Sequence, residues 1–198
     1  MHALFAKLKD HPIIAVVRRS EELAEALESP AAAIELRGAA LYELPQIITR
    51  CRAASKTVLL YPELIDGLAG NAAGLEFLVR YALPDGIVST KRQLLQRAGA
   101  LGLLTVYQIF MIDTQAFGTG VKSAAKLACD AIEVMPGVIA SVVADICPLV
   151  QKPVLCAGLV KRPEEVQALL AAGAAGVATS SRRLWFGEEA AAGEENTK

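Results

Sequence analysis

Three stretches of this chain carry residues able to do chemistry. The first is DAIEVMPGVI, residues 130–139, where Glu133 sits at the centre of an aliphatic run that stops on Met135-Pro136-Gly137. A carboxylate buried in such a run can act as a base, accept hydrogen bonds from a ligand, or form half of a structural ion pair. The run has an echo at 33–38, AIELRG, which adds Glu35 and Arg37. The second stretch is VLCAGLVKRPEEVQALLAAGAAGVATSSRRLW, residues 154–185. It reads as a strand ending in Gly158, a helix, and a Gly-rich link to a strand ending in Thr179-Ser180-Ser181. Backbone N–H groups at Gly158 to Leu159 and at Ser180 to Ser181 would then face an anion at a helix N-terminus, as in a phosphate cradle. Tight turns at Gly158 and Gly176, with Ser180 capping a helix, account for the same residues without a ligand. The third feature is a set of basic pairs: Arg18 and Arg19, Lys91 and Arg92, Lys161 and Arg162, Arg182 and Arg183.

These groups need a scaffold, and the hydropathy pattern supplies one. Eight short apolar runs begin at residues 12, 32, 57, 85, 103, 131, 153 and 176, and amphipathic segments rich in Ala, Leu and Glu lie between them. That alternation is the βαβ pattern of a parallel sheet buried on both faces. In KRPEEVQALLAAG, Pro163 suits a first helical turn, Glu164 and Glu165 favour its positive end, and Gly173 stops it. Ser20 is expected to cap a helix over SEELAEALES, with Leu23 and Leu27 facing inward. Eight such units predict a compact single-domain (β/α)8 barrel of the TIM type over residues 1–186. An open doubly wound sheet would carry a GxGxxG turn after its first strand, and VVRRSEEL has none. The last stretch, 187–198, is acidic and lacks apolar periodicity, so it is expected to be a disordered tail.

All eight basic residues then lie just past strand ends, on the face where barrel sites are built. Strand parity sends Ile132 and Val134 under the helices and directs Ala131, Glu133 and Met135 to the axis. By the same parity Glu35 and Arg37 point inward, from a strand across the barrel from that of Glu133. Two carboxylates there need cations or a hydroxyl-rich ligand between them. Either Glu133 pairs with Arg37 and fills the barrel, or it accepts hydrogen bonds from a ligand. Gly137 either makes the turn or lets backbone approach that ligand. Trp185 either packs the chain end or stacks on a base.

Composition narrows the classes. A chain of 198 residues, 54% hydrophobic, can bury one large core. It has no continuous apolar stretch of about 18 residues, and Pro12 and charges interrupt its start, so a soluble cytoplasmic protein without a membrane partner is expected. Cys51, Cys129, Cys147 and Cys156 lack zinc-site spacing and read as reduced thiols. His2 and His11 precede the first strand, which argues against histidine catalysis and against a metal site. The net charge of −1 hides a locally basic face, since the acidic residues fall on helices and the tail.

Taken together, residues 11–186 resemble the glycerol-3-phosphate responsive antiterminators, bacterial RNA-binding regulators. The resemblance rests on HPIIAVVRRSEELAEALES, ELIDGLAGNAAGLEFL, DGIVSTKRQLLQRAGALGLLTVYQIFMIDT, AIEVMPGVI and AGLVKRPEEVQALLAAGAAGVATSSRRLW. It implies a β/α barrel that binds glycerol 3-phosphate, or a similar small phosphate ester, and then leader mRNA of glycerol-utilisation genes. It implies no cofactor, and a homo-oligomer is compatible with it. The implied ligand residues are Gly158, Leu159, Thr179 and Ser180 at the phosphate loops, Glu133 and Gly137 at the E-V-x-P-G strand end, Ser89 and Lys91 in the S-T-K/R segment, and Gln108. Asp66 and Gly67 fall in its DLI-x-G region. Arg18, Arg19, Arg92, Lys161, Arg162, Arg182 and Arg183 are the candidates for RNA phosphates.

The sequence departs from the family pattern in three places. The family's A-G-G-L is Cys156-Ala157-Gly158-Leu159, its Q-R is Tyr107-Gln108, and its P-G-I-x-P is Pro136-Gly137-Val138-Ile139-Ala140. The second removes a cation, for which Lys91 or Arg18 could compensate. Two other functions fit the barrel. One is a phosphosugar enzyme of the lyase or isomerase type, with Lys91 as a Schiff-base lysine and Glu35 or Glu133 as its acid-base partner. The other is an interaction scaffold that binds no ligand.

Overall fold

The structure, a computed structural model, describes residues 2–187. The segment expected to be an acidic tail falls, from residue 188 onward, outside the described residues. Eight parallel strands close into a barrel: β1 (Ile13–Val17), β2 (Ala33–Leu36), β4 (Thr57–Leu60), β6 (Gly86–Ser89), β7 (Leu104–Phe110), β8 (Ala131–Met135), β9 (Val154–Ala157) and β10 (Gly176–Thr179). Each lies within one of the eight apolar runs. Two further strands, β3 (Ala39–Ala40) and β5 (Ile65–Asp66), pair in parallel as a separate small sheet beyond the ends of β2 and β4.

Nine α-helices are described: α1 (Ala3–Asp10), α2 (Leu23–Glu28), α3 (Leu44–Ala53), α4 (Ala72–Phe77), α5 (Arg92–Ala100), α6 (Thr114–Lys126), α7 (Ala140–Val150), α8 (Pro163–Ala171) and α9 (Arg182–Phe186). None of the described helices is long and apolar enough to cross a membrane.

The core has two layers, as the pleat requires. Ile132 and Val134 pack outward with Leu95, Ile146 and Val150 under the helices. Ala131 faces inward with Val16, Leu59, Val106 and Leu155. The bottom of the barrel is closed by α1, whose Leu4, Phe5 and Leu8 join this interior cluster. His2 caps α1, its Nδ1 accepting from Leu4 N–H at 3.2 Å. Gly176 makes room for the plug, since a Cβ there would lie 2.9 Å from Leu8. Burying these three side chains is worth roughly 1.5 to 3 kcal/mol each.

Helix ends follow the sequence reading except at one point. Pro163 opens α8, and Gly173, at φ +100°, follows its end. Ser20 is not an N-cap. It begins a 3-10 turn over Ser20–Glu22 that leads into α2, and the Glu22 carboxylate reaches back to accept from Arg18 N–H at 2.9 Å. Trp185 is buried and its Nε1 donates to the Thr179 carbonyl at 2.7 Å, so it packs the chain end rather than offering a stacking face. All four cysteines are free thiols, Cys51 and Cys156 buried and Cys129 and Cys147 partly exposed. Burial pushes the Cys156 thiol up to about 12.

Candidate ligand and nucleic-acid site

At the C-terminal ends of β1, β9 and β10 the chain encloses a cavity of about 450 Å3. Gly158, Leu159, Thr179 and Ser180 all line it, so four of the nine expected ligand residues meet there. Three cations join them, Arg18, Arg37 and Lys161. The turn after β9 is left-handed at two successive residues, φ +83° at Gly158 and +65° at Leu159. A leucine in that region is strained by roughly 1 to 2 kcal/mol, and this one is exposed, with no core contact to hold it.

Of the backbone donors around this cavity, several are already engaged within the protein. The start of α8 is already served by Glu165, whose carboxylate accepts from Lys161 N–H at 2.8 Å and from Arg162 N–H at 3.1 Å. The Ser181 N–H donates to Thr179 Oγ1 at 3.0 Å. The Thr179 hydroxyl in turn donates to the Val160 carbonyl at 2.8 Å, clasping the β9 and β10 loops together. Arg18, Arg37 and Lys161 add three positive charges to the same wall.

Glu133 and Gln108 lie below the cavity, buried in the barrel. Arg37 donates through Nε to Glu35 Oε1 at 2.5 Å and through Nη2 to Glu133 Oε1 at 2.7 Å. The Gln108 amide donates to the same Glu133 oxygen, and Tyr61 donates to Gln108 Oε1 at 3.1 Å. Arg37 also stacks over the Tyr61 ring, 5.4 Å from its centroid. The pairing of Glu133 with Arg37 is thus realised, and Arg37 stands at the oxygen that Gln108, in place of the family's cation, also contacts. Burial, then the neighbouring Glu35, hold the Glu133 carboxyl well above the usual carboxylate range against the pull of Arg37.

Gly137 is explained by packing. A Cβ there would lie 2.5 Å from Ala157 N and 2.7 Å from Cys156 C, so it is β9 that requires the glycine. Ser89 and Lys91 belong to a different group. The Ser89 hydroxyl donates to Glu63 Oε1 at 2.5 Å, and Lys91 Nζ donates to the Gly70 carbonyl at 3.1 Å, 3.9 Å from Glu63. Neither lines the cavity at the ends of β9 and β10. Lys91 and Arg92 instead border a separate hollow beside Gly70 and Asn71.

The seven expected RNA contacts divide in two. Arg19 pairs with Glu22, Arg162 with Glu165, and Arg182 with Glu25 at 2.9 Å. Arg18, Arg92, Lys161 and Arg183 form no ion pair with any described residue and are exposed. Exposed pairs contribute little to stability, so the paired arginines can exchange a carboxylate for a phosphate at small cost.

Arg37 was legible as an inward cation but not as part of the cavity wall. Gly38 explains its position: a Cβ there would fall 1.9 Å from the Arg18 carbonyl, so the glycine lets the exit of β2 run against that of β1 and sets the two arginines side by side. Tyr61 could have been found by parity, two residues beyond the inward Leu59.

The glycerol-3-phosphate responsive antiterminator family model matches residues 13–185. The glycerol uptake operon antiterminator regulatory protein of Listeria monocytogenes has the same fold, with a TM-score of 0.82 and 30% identity over 87% of this chain and 94% of that one. An antiterminator-related protein of Thermotoga maritima gives 0.78 and 26%, over 88% and 98%. The uncharacterized protein YgcP of Escherichia coli is 26% identical, over 90% of this chain and 93% of its own. The chain belongs to the glycerol-3-phosphate responsive antiterminator family.

Proposed function

We propose that this chain is a non-catalytic transcription antiterminator. It takes glycerol 3-phosphate, or a similar small phosphate ester, into the cavity at the ends of β9 and β10, and in that state binds leader mRNA of glycerol-utilisation genes. The observation that carries this reading is the meeting of Arg18, Arg37 and Lys161 with the left-handed Gly158–Leu159 turn around one cavity. At about 450 Å3 its size suits a small ligand, and its cations suit an anion. Arg18 and Lys161 lie both on the cavity wall and on the exposed face, so ordering their loops around the ligand also orders cations presented to RNA. RNA must then tighten the small ligand by the same factor. Lys91 supports the non-catalytic reading, because a half-exposed ammonium outside the cavity is poorly placed to form a Schiff base.

The test is fluorescence anisotropy with a leader RNA, with and without glycerol 3-phosphate, alongside thermal melts. Ligand should raise the melting temperature and tighten RNA binding about 10-fold. Lys161→Ala and Arg183→Ala should each lower the slope of log affinity against log salt by about 1. If glycerol 3-phosphate moves neither melting nor RNA affinity, the proposal is wrong.

A further inference from the structure

Arg37 belongs at once to the wall of the anion cavity and to the barrel interior. A guanidinium carries five N–H donors, and the bonds to Glu35 and Glu133 account for two among the described residues, leaving three for a group that enters the cavity. Beneath it two fully buried carboxyl groups face one cation. Glu35 Oε2 and Glu133 Oε2 are both shut from solvent and lack any partner among the described residues, while Oε1 of each carboxyl accepts from Arg37. Two carboxylates so placed resist ionising together. One proton held by the pair leaves the cluster with Arg37 electrically neutral.

A phosphate dianion that engages Arg37 brings negative charge over this pair and strengthens its hold on the proton. We propose that Arg37 is the principal anion ligand of the cavity and that the Glu35–Glu133 pair beneath it is a proton store coupled to the cavity, so that a phosphate ester binds together with one proton held between the two carboxyls. The coupling rests on the small-phosphate-ester reading above; the shared proton does not. The proton comes from solvent wherever the free protein has lost it and the complex keeps it. Affinity then falls as pH rises across that interval, by at most ~10-fold per pH unit for one proton. The other groups facing the pair are Arg37, Tyr61 and Gln108, with Glu63 and Lys91 on the next loops and the Cys156 thiol on the outer face of β9. The Tyr61 hydroxyl is pushed above its usual 10 and the Cys156 thiol to about 12, so neither titrates near pH 8.

The experiment has two arms. Infrared spectroscopy of the ligand-free protein at neutral pH should show the carbonyl band of a protonated buried carboxyl, lost in both Glu35→Gln and Glu133→Gln. Its absence from the unmodified protein overturns the proton store whether or not any ligand binds. Calorimetry with glycerol 3-phosphate between about pH 7.5 and 9.5, where a phosphate ester is already dianionic, should show affinity falling with pH. Heats in two buffers of different ionisation enthalpy should reveal proton uptake, and Glu133→Gln should abolish both effects. Arg37→Gln and the charge-conserving Arg37→Lys should each weaken binding at least ~10-fold. Undiminished binding in both overturns the assignment of Arg37. If glycerol 3-phosphate does not bind the unmodified protein, the coupling falls with the functional reading, and the infrared band alone reports on the shared proton.

Discussion

Arg37, just past the end of β2, spans the barrel mouth to Glu133 on β8, four strands away in either direction around the closed sheet, with Nη2 2.7 Å from Oε1. Removing one partner of a buried ion pair leaves the other charge uncompensated. Arg37→Met should therefore lower the unfolding free energy by ~3 kcal/mol at pH 8. The loss should be smaller at pH 6, where more of the carboxyl charge can be neutralised by protons. Urea denaturation at both pH values measures it, and equal losses would mean that no carboxylate charge is left stranded.

Glu133 also gives stability a pH dependence. Its carboxyl holds a proton more tightly folded than unfolded, so the folded state binds more protons once pH exceeds the ordinary carboxylate value of 4.5. The stabilisation is complete below that value and is lost as pH rises through the raised one. The slope for one group is at most ~1.4 kcal/mol per pH unit. Thermal melts from acid to mildly alkaline pH should show this decline, and Glu133→Gln should flatten it.

Gly137→Ala tests whether packing alone fixes the strand end. The added Cβ would strike the backbone at Ala157 and Cys156, neither of which can move without disturbing β9. A loss of ~1 to 3 kcal/mol is expected from overpacking. Gly102→Ala is the control, because its Cβ meets nothing within 4 Å and only the φ of +83° opposes it. A Gly137→Ala protein as stable as the original would remove the packing account.

Thr179→Val breaks the clasp between the last two loops while keeping the side-chain volume nearly unchanged. The Val160 carbonyl and the Ser181 N–H each lose their threonine partner. The expected cost is ~1 to 3 kcal/mol. Hydrogen exchange should quicken at Ser181, and glycerol 3-phosphate affinity should fall because the cavity wall is unfastened. Unchanged exchange there would mean the hydroxyl is not what closes the loops.

The sequence carried the barrel well because parallel strands buried on both faces read as uninterrupted apolar runs, and β8 and β2 announced their inward residues by alternation. Within the site it carried the Gly158–Leu159 and Thr179–Ser180 loops, whose neighbours in space are also neighbours in the fold pattern. It did not carry β3 and β5, each two residues long and without any periodicity to detect. Nor did it show that Ser89 and Lys91 stand beside Glu63, since that depends on how a loop folds back. The 3-10 turn at Ser20–Glu22, where a helix cap was expected, is of the same kind. Arg37 sits between the two cases: its direction followed from parity, and its exposure to the cavity depended on the close approach allowed by Gly38.

The small β3–β5 sheet gives the mouth a mechanical asymmetry. On the side of β2 and β4 the chain leaving each strand is tied to its neighbour by a second, independent ladder immediately after Arg37. On the side of β9 and β10 the loops are joined, among the described residues, by the Thr179 hydroxyl and by apolar packing of Val160 and Leu184, and a strained leucine stands exposed there. The mouth is thus braced unequally: the side bearing Arg37 by a second backbone ladder, the side bearing Gly158 to Lys161 by a side-chain hydrogen bond.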